Sequence, residues 1–128
     1  MQALIVESNP NLGRAWALAL QSLGADVTLA IDGDEAARKI NATKFDVIVL
    51  NVLLKAGSAL AISDLASFRQ PEANVVFVTS TTFFSDGSIF RHAGNARALV
   101  DIEMPAEDIA SIVHHYGVKP PVHAAHPE

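Results

Sequence analysis

The chain contains no cysteine, which excludes disulfides, zinc-thiolate centres and thiol catalysis and agrees with a reducing compartment. Positive charge is scarce, with nine Lys and Arg against fourteen Asp and Glu for a formal net charge of −5. Nucleic-acid binding works by neutralising phosphates with clustered cations, and scattered cations give no reason to expect such a partner. No apolar run approaches the roughly 18 residues of a membrane span. The sequence opens almost directly on a strand at Gln2, without the charged and apolar regions of a signal peptide. The expectation is a cytoplasmic protein with no membrane partner. Gly-rich phosphate loops and the G-x-S-x-G elbow of serine hydrolases are also absent.

What is present is one domain's worth of chain: 128 residues, half of them hydrophobic, enough to bury about two thirds of the unfolded surface. The organising stretch is Phe45-Asp46-Val47-Ile48-Val49-Leu50-Asn51. A continuous β-branched and aliphatic run suits a central strand of a parallel sheet covered on both faces. Ligands of such sheets bind beyond the carboxyl ends of the strands, so Asn51 stands where chemistry would be read. Similar strands are expected at Gln2 to Val6, Asp26 to Ala30, Asn74 to Thr79 and Ala98 to Ile102.

The intervening segments have helical spacing. Asn9 and Pro10 suit the start of a helix carrying Leu12, Trp16, Ala19, Leu20 and Leu23 inward, with Gly24 past its end and Leu18 exposed. Asp32 and Glu35 form a capping-box pattern for a helix to about Ala42. Ser58 to Phe68 predicts a helix with Leu60, Ala61, Leu65 and Phe68 inward, stopped by Pro71. A short helix is expected near Asp86 to His92. Pro105 opens a last one with Glu107 and Asp108 in its first turn, Ile109, Ile112, Val113 and Tyr116 on one face, and Gly117 at its end. Strand-helix alternation five times over implies a three-layer α/β domain with a parallel sheet, spanning residues 1 to 117, with residues 118 to 128 as a flexible tail.

The segments L-I-V-E-S-N-P, A-I-D-G-D-E-A, F-D-V-I-V-L-N, V-V-F-V-T-S and E-M-P, together with the turn at Gly24, resemble the receiver domain of two-component response regulators over residues 1 to about 116. The resemblance implies a flavodoxin-like, doubly wound (βα)5 fold with a five-stranded parallel sheet. It also implies a phosphorylation pocket with an acidic pair, an acceptor aspartate, a hydroxyl and a lysine. Those positions fall on Glu7 and Ser8, Asn51, Thr79 and Met104. A carboxamide is a poor nucleophile, magnesium is ordinarily held by one or two carboxylates, and methionine supplies no cation. The resemblance therefore implies an atypical receiver without aspartyl phosphorylation, with no cofactor and magnesium binding weak or absent.

Thr79 is open to two readings: the hydroxyl that follows a phosphoryl group, or a strand-end threonine bonded to nearby backbone. In receivers the fourth helix, fifth strand and fifth helix meet partners. That face here would use Phe83, Phe84, Phe90, Asp101, Ile109 and Tyr116, although two or more of Phe83, Phe84, Ile89 and Phe90 could equally be core. Asp101 also lies near the aromatic switch position of the family. Asp46 is expected to bond locally at its strand's start. Adjacent His114 and His115 diverge on a helix and make a poor metal pair, and His123 and His126 lack companion ligands. The expectation is a stand-alone, non-enzymatic signalling module acting on a kinase, a phosphotransfer or output protein, or a second copy of itself. The alternatives are a flavodoxin-like module binding a small ligand in the emptied pocket, and residual phosphate acceptance by Ser8 or Thr79.

Overall fold

In the computed structural model, which describes residues 1–54, 57–80 and 96–118, short polar side chains start the helices. Asn9 Oδ1 accepts from the N–H groups of Asn11 and Leu12 at 3.0 and 3.3 Å, and Pro10 fills the first helical position of α1 (Pro10–Ser22). Asp32 Oδ1 accepts from Glu35 N at 2.8 Å while Glu35 Oε1 accepts from Ile31 N at 2.9 Å. This reciprocal cap opens α2 (Gly33–Ala42). Ser58 caps α3 (Ala59–Arg69), and α4 (Ala106–Val118) follows Pro105 with Glu107 and Asp108 in its first turn. These groups satisfy amide donors that a helix leaves unpaired, and the acids complement its dipole.

The strands are β1 (Gln2–Val6), β2 (Asp26–Ala30), β3 (Val47–Asn51), β4 (Asn74–Thr79) and β5 (Ala96–Asp101). They form one parallel sheet in the order β2-β1-β3-β4-β5. Alternate residues of the central strands feed two apolar layers. Leu4, Ile48, Leu50 and Phe77 pack with Ile40 of α2 and Ile62 of α3, whereas Ile5, Val49 and Val78 pack with Trp16 of α1 and Ile109 of α4. Both faces of the central strands are thus covered, which explains why β3 shows no alternation in hydropathy. The chain leaves β1 toward β2 on one side and reaches β3 on the other. That reversal opens a crevice at the carboxyl ends of β1 and β3.

Several expectations are corrected. β3 starts at Val47; Asp46 turns outward and its Oδ2 accepts from Gln2 N at 2.8 Å, a bond at the strand's start as expected. β5 begins at Ala96, so Ala96 and Arg97 belong to the sheet, where an irregularity between Val75 and Val76 absorbs the extra residue. In α3 the helical phase is rotated. Ala59, Ile62, Ser63 and Ala66 are buried, while Phe68 is 78% exposed and Leu60 lies on the surface. The buried face of α3 is the one that packs with Ile40 of α2 and Phe77 of the sheet, and the larger Leu60 and Phe68 fall outside it. Leu23 ends α1 as an exposed cap residue. Gly117 lies inside α4, next to Met1, rather than terminating it. The expected helix at Asp86 to His92 and residues 119–128 of the expected tail lie outside the described residues, whereas Val118, expected in the tail, ends α4.

Candidate functional site at the carboxyl edge of the sheet

Glu7 follows β1 directly, its backbone N–H still bonded to Ala30 O at 3.0 Å, and its side chain is 5% exposed. Asn51 ends β3 and is equally buried. The two side chains meet: Asn51 Nδ2 donates to Glu7 Oε1 at 2.5 Å. The second carboxylate oxygen, Oε2, accepts from Asn9 N at 2.9 Å, and Asn51 Oδ1 accepts from Leu53 N at 2.8 Å. The amide orientation is fixed from both ends, because a backbone N–H needs an acceptor and an ionised carboxylate needs donors. A buried carboxylate is tolerated when its oxygens are served by hydrogen bonds, and each oxygen of Glu7 has one.

The result is a bridge between two loops. Glu7 and Asn9 belong to the β1–α1 connection, Asn51 and Leu53 to the β3–α3 connection, and one side-chain hydrogen bond joins them across the crevice. Asn9 therefore contributes twice, by its side chain to the helix cap and by its backbone to Glu7. Nothing in the sequence marks the backbone donors of Asn9 and Leu53. Their signal lies only in the topology that brings residues 7 and 51 to adjacent strands.

The remaining expected residues lie on the neighbouring strand ends and loops. Ser8 is half-buried in the β1–α1 loop. Thr79 ends β4 one residue beyond Val78, the register partner of Asn51. Its Oγ1 has no hydrogen-bond partner among the described residues although the side chain is 1% exposed. Among the described residues the expected bond from Thr79 to nearby backbone is thus not made. Asp101 pairs with Thr79 across the sheet, and its Oδ1 accepts from Glu103 N at 2.9 Å. Met104 is half-buried against the α1–α4 layer.

Of the expected contact face, Ile109 is a correction: at 1% exposure it is core between α4 and the sheet and cannot meet a partner. Tyr116 is half-buried, its ring meeting His115 edge-on at 4.9 Å. Phe83, Phe84 and Phe90 lie outside the described residues. Among the described residues no group of three or more His, Asp and Glu side chains is placed to hold a metal ion, and no helix is long and apolar enough to cross a membrane. A separate cavity of about 540 Å³ lies at the opposite edge of the sheet, between the carboxyl ends of α2 and α3 and lined by Lys44, Phe45, Arg69 and Gln70. There Gln70 ties the two ends together, donating to the carbonyls of Ile40 and Thr43 and accepting from Phe45 N.

Strand order, parallel pairing and the two helical layers define a flavodoxin-like fold of the CheY-like receiver type. A receiver-domain protein of Methanospirillum hungatei JF-1 superposes with a TM-score of 0.81 at 17% identity, covering 91% of this chain and 92% of that one. The receiver domain of NtrX from Brucella abortus gives 0.80 at 22% identity, covering 91% and 97%. The response regulator TrrA of Thermotoga maritima, determined in complex with magnesium and beryllofluoride, gives 0.77 at 18% identity, covering 90% and 97%. No protein-family model and no curated protein sequence matches the chain.

Proposed function

We propose that this chain is an atypical receiver domain of a phosphorelay that works through protein-protein contact and is not phosphorylated on aspartate. The observation that carries this reading is the Asn51-to-Glu7 hydrogen bond. At the end of β3, where a phosphorylatable receiver presents an anionic oxygen, this chain has a carboxamide already committed to its neighbours. Phosphoryl transfer requires a nucleophile in line with phosphorus and cations that offset charge on the equatorial oxygens. Asn51 lacks that nucleophilic oxygen, and Met104 lacks the cation. On this reading the domain acts by contact instead of catalysis, and its output is another signalling protein or a second copy bound at the surface that includes Asp101 and Tyr116.

The test has two arms. Incubation with magnesium and a labelled acyl-phosphate donor is expected to leave the protein unlabelled, and beryllofluoride with magnesium is expected to leave the amide NMR signals of Glu7, Asn51 and Thr79 unmoved. Saturable perturbation centred on those residues overturns chemical silence. Affinity capture from native cytosol is expected to retain a signalling partner, and substitution of Phe83, Phe84 and Phe90 together with Tyr116 is expected to abolish retention; unchanged capture removes the assigned face.

One observation favours a second reading, in which the pocket holds a small polar ligand. The buried Thr79 hydroxyl has no partner among the described residues, and such groups ordinarily find a protein, water or ligand atom. Thermal-shift titration with nucleotides and with inorganic phosphate discriminates. A ligand at a hundred times its Kd stabilises the fold by about 2.7 kcal/mol, whereas the contact reading expects no shift.

A further inference from the structure

Receiver-type phosphoryl transfer implies a divalent cation beside paired carboxylates, and the donor set of this pocket does not fit one. Asn51 turns its NH2 group, the positive end of the amide dipole, toward Glu7 at 2.5 Å. Two oxygens at right angles around magnesium stand about 2.9 Å apart, each about 2.1 Å from the ion. The Glu7–Asn51 separation therefore leaves no place for a bridging ion, and one of the two facing atoms is a donor. The other Glu7 oxygen already accepts from Asn9 N.

We infer that the Asn51 carboxamide takes over the structural part a divalent cation would play: it compensates the buried Glu7 carboxylate and cross-links the β1–α1 and β3–α3 loops, making the pocket independent of metal. This deepens the reading of the site as chemically silent, but it concerns stability and needs neither a phosphate donor nor a partner for its test. The loops are joined in the resting protein because both ends of the bond are anchored, Asn51 by Leu53 N and Glu7 by Asn9 N. Asparagine at this position is thus a positioning residue, and its isosteric acid is expected to be the most disruptive conservative change in the pocket.

The experiment compares wild type, Asn51→Asp, and the charge-reversed pair Glu7→Gln with Asn51→Asp, by thermal unfolding in chelator and across a magnesium titration at constant ionic strength. Asn51→Asp places two carboxylates in contact at a buried site, and the melting temperature is expected to fall by roughly 10 °C in chelator. Millimolar magnesium should restore it saturably. The charge-reversed pair, in which an amide again faces a carboxylate with little change in shape, is expected to regain most of the loss without metal, and wild type is expected not to respond to magnesium. A saturable magnesium shift in wild type, or an Asn51→Asp variant as stable as wild type in chelator, overturns the inference. Should Asn51→Asp fail to fold under every condition, the charge-reversed pair decides: recovery supports the inference and failure overturns it. Because no phosphorylation is read, these outcomes remain distinct from failure of the proposed function.

Discussion

Thr79 shows how far a single residue can depart from its local sequence expectation. A strand-end threonine ordinarily bonds to neighbouring backbone, yet here the hydroxyl is enclosed and unpaired among the described residues. An unsatisfied buried hydroxyl costs about 1–3 kcal/mol. Thr79→Val, which keeps the branched shape, is accordingly expected to raise stability by about 1 kcal/mol in urea denaturation. A loss of similar size would show that the hydroxyl is bonded in solution, and would remove the observation that favours the ligand reading. Asn51 is the opposite case. Its place at a strand end was legible from the abrupt stop of an apolar run, but its partner Glu7, 44 residues earlier, was joined to it only through family resemblance. The bond itself belongs to the fold.

At the scale of elements, two glycines separate local strain from flexible packing. Gly57 has φ +93°, and a Cβ there would stand 2.9 Å from Gly33 Cα. The loop leading into α3 thus touches the backbone that opens α2, and a helix backbone cannot yield easily. Gly57→Ala is expected to cost about 2 kcal/mol from the left-handed backbone and the backbone clash. In Gly117→Ala the added methyl would meet the Met1 side chain and Val47 Cγ1. Met1 can swing away, and alanine is favoured over glycine within a helix by about 0.5–1 kcal/mol, so chemical denaturation should show a near-neutral effect. The contrast could not be read from composition, since one glycine follows a strand and the other was expected merely to end a helix. Likewise, the α3 caps were legible from Ser58 and Pro71, whereas its buried face was not. Apolar residues lie all around that helix, and only its packing against α2 and the sheet decides which of them are covered.

The whole molecule is held by two apolar layers separated by one sheet. Trp16 reports on the α1–α4 layer and Phe77 belongs to the α2–α3 layer. Because β1, β3 and β4 supply side chains to both, the layers should not unfold separately. Phe77→Ala is expected to cost about 4 kcal/mol through lost burial and a residual cavity. The midpoints from Trp16 fluorescence and from far-ultraviolet circular dichroism should move down together, as for a single cooperative unit. Separate midpoints would show that the sheet does not couple its two faces. This scale was the most legible in sequence: alternating strand and helix signals, continuous apolar strands and short polar turns all demanded the same covered parallel sheet.

The amino-acid sequence by itself determined the order of strands and helices, their capping residues and the polar residue that ends the central strand, because these depend on neighbours within a few positions. Tertiary structure alone decided that Glu7 is served by Asn51 and Asn9, that Ile109 is core, that Phe68 lies outside, and that the Thr79 hydroxyl is enclosed without a partner among the described residues. Each of those outcomes depends on how closely distant segments approach, and on which polar atoms meet when water is excluded, distances that no local pattern encodes.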